Sequence, residues 1–289
     1  MPPSNTQPAT SPVHPAPAAG DVATTMTLTA PSGTDVIATI TTTPSEAPAN
    51  RPVVFLHGLV GLNEHWDRVV DAVKHRFNCT RLELPLLQLQ REDASVDAVT
   101  DLTIKYLDAV GGKPSVLVGN SFGGHVALRT ALQRPDLVSA LVLAGSSGLY
   151  ERTFVKGAPV RPSREWLTEK IGELFYDKSL MRDADLDRAH RELNAPGGAR
   201  AMVRLSKTAR RNHLGERIAN IHQPTLLIWG AEDVVTPPGA AREFDRLLPD
   251  SRLVWFPNCG HAPMIECPAP FADAMLEFAN ELDARTPTN

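Results

Sequence analysis

The sequence predicts an α/β fold, one mostly parallel sheet with helices on both faces, interrupted by a helical insertion. Three observations predict it. Short runs rich in Val, Leu and Ile alternate with segments of helical spacing, the signature of βα units. The runs are apolar throughout instead of alternating, as strands covered on both faces require. The alternation stops near Leu149 and resumes after His222, and the stretch between is charged and helically spaced. A chain of 289 residues with 42% apolar and 21% charged residues has room for one such domain with its insertion, or for two small domains, and buries a core without staples.

The elements follow in order. The first twenty residues hold six prolines and little that is apolar, so residues 1–25 are expected to be a disordered tail. From Met26 to Thr43, β-branched residues flank a Pro-Ser-Gly turn, a hairpin signal. Residues 52–58, PVVFLHG, form a strand ending in glycine. Residues 62–77 have helical spacing, with Trp66, Val69, Val70 and Val73 on one face. CTRLELP is a strand, and a helix capped by Ser95 and stopped at Gly111-Gly112 follows. The strand ending at Asn120 leads into a helix running to about Arg134, and residues 137–148 carry another strand. After the insertion come the strand PTLLIWG, a helix near 238–248, the strand SRLVWFP and a final helix from about Phe271 to Ala284. Residues 26–148 and 223–289 thus make the sheet domain, and 149–222 the insertion.

A net charge of −4 offers no basic field for nucleic acid or an anionic membrane. No apolar run approaches the roughly 20 residues that span a bilayer. The first fifty residues contain no Lys or Arg, which argues against a secretory or transit leader. Three cysteines, Cys79, Cys259 and Cys267, form no disulfide framework. A cytoplasmic protein is expected, a monomer or homodimer.

One stretch carries chemistry. Between the strand Val116-Leu117-Val118 and the helix that begins near His125 stand Gly119-Asn120-Ser121-Phe122-Gly123-Gly124. A strand that turns straight into a helix strains the residue at its tip, and Gly119 and Gly123 remove the side chains that would collide there. The hydroxyl of Ser121 is then displayed beside the positive end of a helix. The plainer alternative is a helix-capping serine in a Gly-rich turn. A serine nucleophile needs a base, and the base needs an orienting acid, each in a loop after a later strand. Glu232 and Asp233 follow the strand TLLIWG, and Asp233 is preferred because it adjoins the Val-Val-Thr-Pro-Pro run that begins the next helix. His261 follows the last strand, behind Gly260. An oxyanion hole is expected from the backbone N–H groups of Phe122 and Leu59, with Gly58 allowing close approach. The side chain of His57 is read as structural.

His57-Gly58, the Gly119–Gly123 turn, Asp233 and Gly260-His261 together resemble the α/β-hydrolase superfamily over nearly all of residues 26–285. The resemblance implies that family's eight-stranded, mostly parallel sheet with a helical lid after the sixth strand, here residues 149–222. Ser121 stands where the haloalkane dehalogenases and epoxide hydrolases of this fold carry Asp. Asn120 to Gly124 is similar to the carbon–carbon bond hydrolases of meta-cleavage pathways. Those carry a Gly-rich oxyanion loop and usually a Trp after the histidine, whereas this chain has HGLVG and Ala262. The first expectation is therefore a carboxylic ester hydrolase working through an acyl-enzyme. The alternatives are a C–C bond hydrolase acting on a vinylogous diketone acid, and a non-catalytic ligand-binding protein on the same fold.

The substrate is expected to be a small molecule, with no cofactor and no metal, since the other histidines lack ligand spacing. Gly58, Val60, Asn120 and Leu149 are expected to line its pocket beside Leu59 and Phe122. Trp166, Phe175 and Tyr176 either face that pocket or pack insertion helices together. The insertion holds 15 Lys and Arg against 10 Asp and Glu, whereas the rest of the chain holds 14 against 23. Its densest basic group is Arg200, Arg204, Lys207, Arg210 and Arg211. That group either favours a substrate carboxylate or is a solvated helix face.

Overall fold

The computed structural model describes residues 20–45, 51–151 and 161–285. Eight strands form one sheet in the order β1-β2-β4-β3-β5-β6-β7-β8. The hairpin is β1 (Val22–Thr29) and β2 (Asp35–Thr43), antiparallel, with Val22 opposite Thr42. The end of the expected tail is corrected here. Val22 to Thr25 already belong to β1, because their β-branched side chains pair with those of β2. Residues 1–19 of that tail lie outside the described residues.

The parallel strands are β3 (Arg51–Leu56), β4 (Phe77–Glu83), β5 (Ser115–Asn120), β6 (Val138–Ala144), β7 (Thr225–Gly230) and β8 (Ser251–Phe256). They pair parallel from β4 through β8. Their continuous apolar runs hide a period of two. Val54, Leu56, Leu117, Leu143 and Trp229 pack on one face, while Val53, Phe55, Val116, Val118 and Ile228 pack on the other. The first face is covered by α2 (Val96–Ala109), α3 (Phe122–Gln133) and α7 (Pro238–Leu247), and the second by α1 (Asp67–Val73) and α9 (Pro268–Arg285). Each fully buried Leu or Val contributes about 1.5–3 kcal/mol, so both faces are needed to hold the sheet.

The helix expected over 62–77 is shorter. A 3₁₀ turn at Asn63–Trp66 precedes α1, and Phe77 already pairs with Arg51 as the first residue of β4. The predicted face is correct, for Trp66, Val69, Val70 and Val73 are buried. Sheet pairing ends the helix, not a loss of helical spacing.

Between β6 and β7 lie α4 (Arg164–Gly172), α5 (Asp183–Asn194) and α6 (Gly198–Arg211). They share a small core of Leu167, Ile171, Leu186, Ala189, Leu193 and Met202, against which Leu59, Val60 and Phe175 pack. A buried ion pair fastens α5 to the sheet, Arg188 donating to Glu83. The N–H of Asn63 holds the other Glu83 oxygen at 3.0 Å. Burial pushes the Glu83 carboxyl up, but His57, Arg188 and that N–H more than offset it, leaving it below the ordinary carboxylate value.

Parallel pairing sends the carboxyl ends of β3, β5, β6, β7 and β8 to one edge of the sheet. The chain order reverses at β3, which has β4 on one side and β5 on the other. Ligands of open α/β sheets bind at such a reversal. Among the described residues, no helix is long and apolar enough to cross a membrane.

Candidate active site

Ser121 sits between β5 and α3 with φ 53° and ψ −118°, a conformation that few residues with side chains adopt. The glycines around it are there for close approach. A β-carbon on Gly119 would fall 2.5 Å from the Gly123 carbonyl oxygen across the turn. One on Gly123 would fall 2.3 Å from the carbonyl oxygen of Leu56, at the end of β3. The turn therefore presses the start of α3 against the His57-Gly58-Leu59 loop. One on Gly58 would stand 3.5 Å from the Ser121 β-carbon, so that loop borders the serine directly.

His261 meets Asp233 across the sheet end. Its Nδ1 donates to Asp233 Oδ2 at 2.8 Å, and the Asp233 side chain is wholly buried. The carboxylate is saturated. Oδ1 accepts the N–H groups of Val235 and Thr236 at 2.8 and 2.9 Å, and the Thr236 hydroxyl stands 2.8 Å from Oδ2. With Nδ1 holding its proton toward the acid, Nε2 is the basic nitrogen of His261. Glu232 is exposed, and its carboxylate accepts the Cys259 N–H at 3.0 Å.

Gly145, Thr236 and Glu266, which sequence reading did not single out, and Asn120, expected only in the pocket, hold this pair. Gly145, at φ 49°, follows β6, and a β-carbon there would lie 3.0 Å from Asp233 Oδ2 and 3.1 Å from His261 Nδ1. The Asn120 amide donates to the carbonyls of Ala144 and His261 at 3.0 Å each, tying the serine strand to the histidine loop. Glu266 accepts the Gly260 N–H at 2.9 Å and the Tyr176 N–H at 2.8 Å. The His261 N–H reaches the Leu174 carbonyl at 2.7 Å, so the histidine loop is bonded to the segment after α4. A glycine just past a strand and a Thr three residues after an Asp were the available signals.

Ser121, His261, Leu59 and Phe122 line one cavity of about 130 Å³, ample beside the roughly 15 Å³ that a single water needs. Gly58, Val60 and Asn120 are on its wall, and so is Phe175. Leu149 does not; it is buried in the main core, and Glu151 two residues on is at the cavity wall. Trp166 packs in the insertion core, and Tyr176 is exposed. Of the two readings of the basic group on α6, the structure favours the solvated face. α6 presents Met202, Ser206 and Ala209 to the cavity, while Arg200, Arg204, Lys207 and Arg211 are on its exposed face. His57 is structural in its contacts, donating from Nδ1 to the Gly58 carbonyl at 2.7 Å, and burial lowers its pKa.

His125, one turn into α3, is fully buried. Burial pulls its pKa down from 6.5 to about 4; Glu151 opposes the shift, and Arg129 and His213 add to it. The folded protein therefore refuses a proton that the unfolded chain takes up between about pH 6.5 and 4. Stability from this group is complete above that window and falls with pH inside it, at about 1.4 kcal/mol per unit. Urea unfolding of wild type should lose about 2 kcal/mol more than His125→Leu between pH 7.5 and 5. Parallel losses in the two proteins would exclude His125 as the source.

Known proteins bear directly on this arrangement. A family model described as "Alpha/beta hydrolase family" matches residues 53–274. The pimeloyl-[acyl-carrier protein] methyl ester esterase of Nitrosomonas europaea is 33% identical over 250 residues, 78% of this chain and 95% of that one. The 2-hydroxy-6-oxo-6-(2'-aminophenyl)hexa-2,4-dienoic acid hydrolase of Metapseudomonas resinovorans is 28% identical, over 81% of this chain and 85% of its own. Among solved structures, a meta-cleavage product hydrolase from Pseudomonas fluorescens IP01 superposes with a TM-score of 0.74 at 25% identity, covering 89% of this chain and 97% of that one. Sheet order, strained serine and sequence kinship agree, and the chain belongs to the alpha/beta hydrolase family as a hydrolytic enzyme.

Proposed function

We propose that this enzyme is a carboxylic ester hydrolase acting through an acyl-enzyme on Ser121. His261 Nε2 takes the Ser121 proton as Oγ attacks the ester carbonyl. The N–H groups of Phe122 and Leu59 hold the oxyanion, each worth about 3 kcal/mol in the transition state. His261 then protonates the leaving alcohol, and water repeats the cycle on the acyl-enzyme. Asp233 fixes the His261 tautomer and stabilises the imidazolium. Residues 149–222 act as the lid, and the bond between His261 N–H and the Leu174 carbonyl supports that role.

The observation that carries the reading is the strained Ser121 on the same cavity wall as His261, whose Nδ1 is bonded to a buried, saturated Asp233. The choice of ester over diketone acid rests on the cavity wall. A free carboxylate on the substrate calls for a cation, and no Lys or Arg is among the described lining residues. The esterase from Nitrosomonas europaea supports the same choice.

The test is labelling by a fluorophosphonate beside a panel of p-nitrophenyl esters from acetate to octanoate and a vinylogous diketone acid. Labelling with ester turnover supports the reading, and the preferred chain length sizes the cavity. Labelling with turnover of the diketone acid alone would replace the esterase by the C–C hydrolase. Ligand binding without labelling or turnover would leave a binding protein.

A further inference from the structure

The cavity carries charge that ester hydrolysis does not use. Glu151 and Asp185 are the carboxylates among its described lining residues. Asp185 is satisfied, taking Arg182 through both oxygens at 2.7 and 2.8 Å, with His65 Nε2 3.2 Å away. Glu151 is less well satisfied. Its side chain is only 10% exposed, its Oε2 has no hydrogen-bond partner among the described residues, and its ion-pair partner His213 Nε2 lies 3.7 Å off, beyond hydrogen-bond reach.

Burial pushes the Glu151 carboxyl up, but His213, His125 and the Gly148 N–H more than offset it, leaving it below the ordinary carboxylate value. It is therefore ionised at neutral pH. A buried carboxylate short of close donors is costly, and a donor brought by a ligand offsets part of that cost. The cavity is otherwise suited to a chain, with Leu59, Val60, Phe122 and Met202 as apolar and Ser147 and Ser206 as hydroxyl lining.

We propose that Glu151 recognises the end of the substrate remote from the scissile bond, accepting a hydrogen bond from a hydroxyl or a protonated amine carried by an otherwise apolar ester. The proposal rests on the esterase reading and narrows it: the substrate is a neutral or cationic ester bearing a donor, and a free carboxylate at that end is rejected.

The test is a series of straight-chain esters of equal length ending in methyl, hydroxyl, ammonium or carboxylate, with the end group on the acyl chain in one set and on the alcohol in another. In wild type, kcat/KM in one set should rise about tenfold from methyl to hydroxyl or ammonium, and fall about tenfold from methyl to carboxylate, the size of one charge-assisted hydrogen bond. The larger of the hydroxyl and ammonium gains identifies the donor. In Glu151→Gln the ammonium-to-carboxylate ratio should shrink at least tenfold, and Glu151→Asp should retain part of it. A merely structural role would slow all four esters alike and leave the ratios standing. A flat series in wild type, or an unchanged ratio in Glu151→Gln, overturns the proposal while the esterase reading survives. If no ester turns over but Ser121 is labelled, the same comparison is made with the matching alcohol, diol, amino alcohol and hydroxy acid as protectants against fluorophosphonate. Stronger protection by diol or amino alcohol then supports the subsite, and equal protection overturns it. If Ser121 is not labelled either, both readings fall together.

Discussion

Ser121→Ala should lower ester hydrolysis by about 10⁶-fold in kcat and abolish fluorophosphonate labelling. On the proposed mechanism, the magnitude follows from removing the nucleophile of a unit whose members act together. What remains is the rate supplied by the oxyanion N–H groups and by binding, which do not involve the hydroxyl. The fold should be undisturbed, because alanine meets the same strain at φ 53° that serine does. Ser121→Gly separates strain from chemistry. It is as inactive as the alanine variant, but it releases a backbone conformation that costs a side chain about 1–3 kcal/mol. After glycine's entropy cost of about 0.5–1 kcal/mol, it should be more stable than Ser121→Ala by about 1 kcal/mol. Activity and stability measured on the three proteins check both parts. Residual turnover within a hundredfold of wild type would show that another group attacks the substrate. Equal stability of the two variants would show that the turn holds no strain.

Asp233→Asn should cost about 10⁴-fold in kcat/KM with little change in fold. The reason lies in which way the new amide points. The Val235 and Thr236 N–H groups both aim at Oδ1 and require an acceptor there. The amide oxygen of asparagine takes that place, and its NH₂ replaces Oδ2, facing His261 Nδ1. Nδ1 must then accept, which moves the imidazole proton to Nε2. A protonated Nε2 cannot take the Ser121 proton. Kinetics of the variant at neutral pH test the magnitude, and the nitrogen shifts of His261 test the cause. A variant that keeps the wild-type tautomer, or one that loses less than tenfold, would remove Asp233 from the role of orienting acid.

Much of this was legible in the sequence, and each part had its own signal. The inner strands announced themselves because short apolar runs such as VVFL, ALVLA and LLIW suit strands buried on two faces, and the first two strands showed as β-branched residues around a Pro-Ser-Gly turn. Ser121 was legible because glycines at 119 and 123, between a strand run and a helical run, suit a strand that turns at once into a helix. The strand start at Val22 was missed, because six prolines just before it dominate the composition of the region. The early end of α1 was missed because periodicity runs on through Phe77, while the hydrogen bonds of β4 claim that residue.

The sequence by itself determined the order of elements, the strand–serine–helix turn and the two later loops that offer an acid and a base. Those are local properties, fixed by spacing, by β-branched content and by where glycine and proline fall. Only the tertiary structure decided what meets what. It brought Asp233 within 2.8 Å of His261, set Gly145 and Thr236 against the pair, and tied the histidine loop to the insertion. It turned Arg200, Arg204, Lys207 and Arg211 of α6 outward and placed Glu151 on the cavity wall in place of Leu149. The physical reason is the same in each case. A helix or loop residue faces the core or the cavity according to how its element docks on the sheet, and docking is settled by burial and hydrogen bonding between segments far apart in the chain.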